Sequence, residues 1–163
     1  MSILSSLLTV KKCSAEETVK LLRVPEVNKK LFIEKINNGS CFFYVIVVFN
    51  KTLGRIMLFT DLADKDLADG ESVCYFSNLW VHPKLRGQKI GSKLIRYVEK
   101  QARKQGFKYL TLGVHSDNEK NISIYKHLGF DTFVKSKNND ALVKNKSGEF
   151  ITVKEYFVLK KKL

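Results

Sequence analysis

One helical pattern, lodged between two strand-like runs, limits most sharply what this chain can fold into. From Gln88 to Gln105, Ile90, Leu94, Val98 and Ala102 recur every four residues, while Lys89, Lys93, Arg96, Lys100 and Arg103 take the other faces. "ESVCYFSNLWVHP" (71–83) precedes this stretch and "FKYLTLGV" (107–114) follows it, both rich in β-branched and aromatic residues. A helix with one apolar stripe, bounded by strands, buries that stripe against a sheet. The turn that opens the helix, "LRGQKIGSKLI" (85–95), carries two glycines and three basic residues. Unpaired N–H groups at a helix start, with the positive end of its dipole, make an anion site. Glycine there lets a phosphate oxygen reach the backbone with no Cβ in the way. Neither G-x-x-x-x-G-K-[ST] nor G-x-G-x-x-G occurs, so this is not one of those two phosphate loops.

The rest of the chain completes a mixed sheet. "MSILSSLLTVKK" places its lysines after its apolar residues, the reverse of a secretory signal, and reads as a first strand. Ser14 followed by Glu17 is a capping box for a helix that Pro25 breaks, and a second helix ends at Asn37-Asn38-Gly39. "CFFYVIVVFN" (41–50) and "LGRIMLFT" (53–60) form a hairpin signal around Asn50-Lys51-Thr52. "DLADKDLADG" (61–70) is an acidic loop. Gly106 caps the long helix, "DNEKNISIYKHLGF" (117–130) is a short helix stopped by Gly129, and 131–136 and 149–160 are two more strands around a polar loop. At 163 residues the chain is expected to be one domain spanning 1–163.

Charge is distributed unevenly along this order. Residues 1–81 carry 10 Lys+Arg against 9 Asp+Glu, and residues 82–163 carry 19 against 7, so nearly all of the +13 lies in the half that begins at the glycine turn. An anionic partner fits that half: a nucleotide-bearing cofactor, nucleic acid or an acidic surface. No apolar run approaches the ~20 residues of a membrane span. Cys13, Cys41 and Cys74 are widely spaced with no C-x-x-C, which argues against a disulfide framework or a zinc site and for a reducing cytoplasm.

Two motifs carry a family resemblance. "RGQKIG" is similar to the [Q/R]-x-x-G-x-[G/A] signature of the GNAT superfamily of N-acetyltransferases, with Arg86 and Gly91 on its outer positions. Lys89 stands where that signature has glycine; a lysine fits with a negative φ, its ammonium then reaching a phosphate. "NEKNISIYKHLGF" resembles the family's second motif, N-x-x-[A/N]-x-x-x-Y-x-x-x-G-F, with Asn118, Tyr125, Gly129 and Phe130 in place. The spacing between the motifs and the whole element order also match. The fold so implied is α+β, a three-layer α/β/α arrangement of a mixed, largely antiparallel seven-stranded sheet with about four helices.

The resemblance implies acetyl transfer from acetyl-CoA to a primary amine of a small molecule or peptide, by direct attack in a ternary complex and without a metal. Arg86, Gly87, Gln88, Lys89, Ile90, Gly91 and Ser92 would bind the diphosphate, largely through backbone N–H groups. Leu79, Trp80 and Val81 would pair by backbone with the pantetheine arm, as an added strand does. Tyr125 would donate a proton to the sulfur, and Asn118 would contact the cofactor or cap its helix. Ribosomal-protein alanine acetyltransferases of this superfamily carry Glu at the position of Gly113, which speaks against that activity. The base is left open among Glu71, His82, His115 and water; two histidines alone make no metal site. The acidic loop is either a solvated turn or an attractor for a cationic acceptor. A basic nucleic-acid-binding domain, using Lys93, Arg96, Lys100, Arg103 and Lys160–Lys162, is the rival class, and a CoA-binding domain without transfer is a third. The chain is expected as a monomer or homodimer.

Overall fold

The structure, a computed structural model, describes residues 8–144, 147 and 150–163. Seven strands form one sheet in the order β1-β2-β3-β4-β5-β7-β6. They are β1 (Lys11–Lys12), β2 (Cys41–Val48), β3 (Lys51–Phe59), β4 (Val73–Val81), β5 (Tyr109–His115), β6 (Thr132–Lys144) and β7 (Phe150–Lys162). Only the β4–β5 pair is parallel, so the sheet is mixed and largely antiparallel. Among the described residues four α-helices complete it: α1 (Ala15–Leu22), α2 (Glu26–Asn37), α3 (Ile90–Lys104) and α4 (Glu119–His127).

Strand alternation sorts side chains onto two cores. Tyr44, Ile46, Ile56, Leu58, Cys74, Phe76, Leu110 and Leu112 face the apolar stripe of α3 and the residues of α4. Phe43, Val45 and Met57 face the opposite way, under Leu22 of α1 and Phe32 and Ile36 of α2. The helices therefore lie on both faces, and the architecture is the α+β, three-layer arrangement that the motifs implied. Ile90, Leu94, Val98 and Ala102 are all buried, as their spacing requires. Glu99, also buried, pairs with Lys161 at 2.8 Å, and Lys161 donates further to the Leu128 carbonyl. This lysine of the basic tail is thus spent inside the fold rather than offered to phosphates.

Local chemistry sets the helix ends. Ser14 and Glu17 form the reciprocal capping box at α1. Gly106 and Gly129 both adopt positive φ, and in each case the next residue's N–H bonds five residues back, Phe107 to Ala102 and Phe130 to Tyr125. Three expectations shift. The hairpin turn is Phe49-Asn50, both at positive φ, with Val48 paired to Lys51, so it lies one residue earlier than Asn50-Lys51-Thr52. The polar stretch after Ser136 continues β6 to Lys144 against β7, where polar residues suit a sheet edge. The first strand is described only at Lys11–Lys12, residues 1–7 lying outside the described part. Among the described residues no helix is long and apolar enough to cross a membrane.

Candidate active site

The middle of the sheet is built to part. β4 and β5 pair only from Val73↔Tyr109 to Phe76↔Leu112. Beyond that, β4 stays with β3 as far as Val81↔Gly54, while β5 stays with β7 as far as His115↔Tyr156. The cause is a bulge. Between Arg55↔Trp80 and Met57↔Ser77, β3 supplies one residue and β4 supplies two, Asn78 and Leu79. An extra residue bends its strand, and Asn78 absorbs the bend at φ 52, a left-handed conformation that asparagine tolerates. Its side-chain amide donates to the Met57 sulfur at 3.2 Å. Leu79, Trp80 and Val81 are left with no β5 partner beside an open cleft.

At the end of β4 the chain turns through a short 3₁₀ segment, Pro83–Leu85, into the glycine turn and α3. The first helical bond runs from Lys93 N–H to the Lys89 carbonyl, so the amides of Ile90, Gly91 and Ser92 have no acceptor within the helix. Gly87 sits at φ 78 and Lys89 at φ 62. The expected negative φ for Lys89 is wrong: this N-cap position is left-handed, which explains the family's preference for glycine there and costs a lysine about 1 kcal/mol. Arg86 turns back, its Nε donating to the Val81 carbonyl at 3.1 Å. That bond fastens the turn to β4 and occupies a carbonyl the sequence assigned to pantetheine. A Cβ added at Gly91 would meet only Val81 Cγ2, at 3.8 Å. Packing therefore does not demand this glycine; open space above the helix start does fit a diphosphate.

Tyr125 borders the same cleft. It is the residue whose carbonyl receives the Phe130 N–H in the α4 cap, and its ring packs against Phe130 at 6.3 Å and Phe76 at 6.2 Å. The Y-x-x-x-G-F spacing is thereby a helix-ending device that also fixes the tyrosine beside Phe76, the last residue of β4 paired to β5. Burial raises the Tyr125 pKa, keeping its hydroxyl protonated. Asn118 caps α4, accepting from the Asn121 N–H at 3.1 Å.

Two residues that the sequence reading missed join it. Burial, with Tyr156 and Tyr125 nearby, pushes Tyr75 up to about 12. A Cβ on Gly113 would lie 3.1 Å from the Tyr156 ring and 3.3 Å from the Tyr75 hydroxyl. A side chain at 113 would press on both, so two tyrosines stand beside the position where the resemblance would place a glutamate. Alternation along β4 put Tyr75 on this face, but Tyr156 lies on a strand far along the chain.

Of the open choices for a base, the structure separates three. Glu71 precedes β4, at the end of the sheet opposite the cleft. His82 lies past the end of β4, its Nδ1 accepting from the Lys84 N–H at 3.4 Å. His115 ends β5 directly across from Tyr156, at the cleft. The acidic loop is occupied internally. Asp61 pairs with Lys65, Asp64 with Lys135 and Lys137, and Asp66 with Lys135. Burial opposes ionisation of Asp69, yet N–H donors of Val73, Glu71 and Ser72 outweigh it and hold that carboxyl low.

Hydrogen bonds from Lys135 and Lys137 likewise lower Asp64 from 3.8 to about 2. A carboxyl that binds its proton more weakly when folded stabilises fully above its ordinary pKa and less as pH falls through the folded one. The melting temperature should therefore fall more steeply between about pH 4 and pH 2 in the wild type than in Asp64→Asn. Parallel curves in that window would remove the pairing from the account.

The family model for the acetyltransferase (GNAT) family matches residues 11–130. The chain belongs to the GNAT family. A thialysine N-epsilon-acetyltransferase of Mus musculus is 35% identical over 63 residues, 39% of this GNAT chain and 37% of that protein. The aligned stretch thus spans about a third of that curated relative's length. Among solved structures, a GNAT family acetyltransferase from Elizabethkingia anophelis with acetyl-CoA bound superposes with TM-score 0.66 at 20% identity, covering 96% of this chain and 98% of the other. A ribosomal-protein-alanine N-acetyltransferase from Brucella melitensis gives 0.69 at 17% identity, covering 96% and 100%. At such identities these two likenesses speak to the GNAT fold.

Proposed function

We propose that this GNAT chain transfers an acetyl group from acetyl-CoA to a primary amine, by direct attack while both are bound. The observation that carries this reading is the parting of β4 and β5 beside the free amides of α3, with Tyr125 at its edge. Acetyl-CoA supplies the activated acyl group. Amides between Arg86 and Ser92 hold its diphosphate, and the helix dipole adds to the attraction. The β4 edge at Leu79 and Trp80 receives the pantetheine arm, with Arg86 keeping the turn in place. Tyr125 gives its proton to the departing sulfur, a role suited to a hydroxyl whose pKa burial has raised. His115 takes the proton of the attacking amine, alone or through water. Residues 1–163 act as one domain in a reducing cytoplasm, a setting that suits three buried, unpaired thiols.

Acetyl-CoA should raise the melting temperature by mass action, by about 2.7 kcal/mol of stability at a hundredfold excess over Kd. Release of free thiol should require an added amine. No thermal shift, together with oligonucleotide binding that weakens steeply with salt, would replace this reading with nucleic-acid binding.

A further inference from the structure

The sheet face under α1 holds a cavity of about 340 Å³, lined by Leu21, Phe43, Thr52, Arg55 and Trp80. Its position follows from the register. Gly54 faces α3, where a Cβ would come within 3.0 Å of Leu94, so Arg55, next along β3, points to the opposite face. Arg55 is paired across the strands with Trp80, immediately past the β4 bulge, and its guanidinium lies 5.6 Å from the Trp80 ring. The cavity is therefore on the side of the sheet away from the α3 amides and beside the cleft. A charge held in it belongs to the acceptor, not to the diphosphate.

Among the described residues Arg55 has no counter-charge. Its Nε is buried and has no hydrogen-bond partner, and no carboxylate among the described residues forms an ion pair with it. The acidic groups nearest in sequence, on the loop 61–70, are taken by lysines or by backbone N–H groups. Arginine presents Nε–H and Nη–H as a planar fork that matches a carboxylate with two parallel bonds. Thr52 adds a hydroxyl on the same strand, while Phe43, Leu21 and Trp80 give apolar walls. Among the described residues no second cation lines the cavity, which suits one negative charge better than a phosphate dianion.

We propose that this cavity selects the acceptor: Arg55 binds the carboxylate of an amine substrate whose reactive nitrogen lies in the β4–β5 cleft. Two residues of β3, from Arg55 opposite Trp80 to Met57 opposite Ser77, separate the two places, roughly 7 Å at ~3.3 Å per residue. The substrate class is therefore an amine and a carboxylate joined by a chain of about lysine length, either a free amino acid or the C-terminal lysine of a peptide. This inference rests on the acetyl-transfer reading and narrows it.

The test compares kcat/KM for ε-aminocaproate and for its neutral amide, which differ only at the carboxylate. The wild type should favour the acid at least tenfold. Arg55→Met should bring the ratio close to one, and Arg55→Lys, which keeps the charge but loses the fork, should fall between. Loss on both substrates by the same factor would make Arg55 a structural residue and overturn the proposal, as would a preference for a phosphorylated amine of similar length. A peptide ending in lysine, set against its C-terminal amide and against free lysine, separates the two sources of carboxylate. Calorimetric titration with ε-aminocaproate in the presence of CoA needs no turnover. Binding there that weakens at least tenfold in Arg55→Met supports the cavity even if no amine is acetylated, whereas no binding to the wild type sinks it. Acetyl-transfer itself is judged separately, by the acetyl-CoA melting shift and thiol release.

Discussion

Replacing Tyr125 by phenylalanine is expected to lower kcat about a hundredfold while leaving the acetyl-CoA melting shift in place. The ring is what packing uses: its contacts with Phe76 and Phe130 persist in phenylalanine, so α4 and its cap should stay where they are. Only the hydroxyl is lost. A positioned proton donor typically contributes 10²–10⁴-fold, and no neighbouring group inherits the role cleanly, since the Tyr75 hydroxyl is turned toward Gly113 beside Tyr156. Steady-state kinetics with a saturating amine measures the effect, and thermal melting with acetyl-CoA measures binding. Unchanged turnover would strip Tyr125 of its chemical role; a lost melting shift would recast it as a binding residue.

Gly91→Asp should separate stability from binding. The position is the second residue of α3, where a carboxylate meets the positive end of the helix dipole and stabilises by about 0.3–1 kcal/mol. Space exists for it, because the nearest atom to an added Cβ is Val81 Cγ2 at 3.8 Å. The same carboxylate would stand where the diphosphate is held and repel it. The expected result is a melting temperature equal to or above the wild type without ligand, with acetyl-CoA affinity reduced at least a hundredfold. Tight binding in this variant would mean that the diphosphate sits elsewhere.

Local signals made most of this fold legible before any coordinates. A capping box, two glycines two residues past helix ends and a four-residue apolar repeat each depend on a few neighbouring side chains, and each is present as read. What escaped depends on two strands at once. The bulge at Asn78 exists only as a mismatch between β3 and β4, and "SNLW" by itself reads as plain strand. Tyr75 and Tyr156 meet over Gly113 because β5 lies between β4 and β7, an order that no local pattern states. Arg55 became informative only once its neighbours proved to hold no carboxylate. Lys89 misled for another reason. Side-chain chemistry suggested a phosphate contact, while the backbone demanded a left-handed residue at that cap.

The most direct test of the central claim is the crystal structure of this protein with coenzyme A. The account predicts diphosphate oxygens within hydrogen-bond distance of main-chain nitrogens between Arg86 and Ser92, and the thiol arm lying between β4 and β5 near Tyr125. Coenzyme A bound with its diphosphate away from those nitrogens, or its arm outside that cleft, would contradict it.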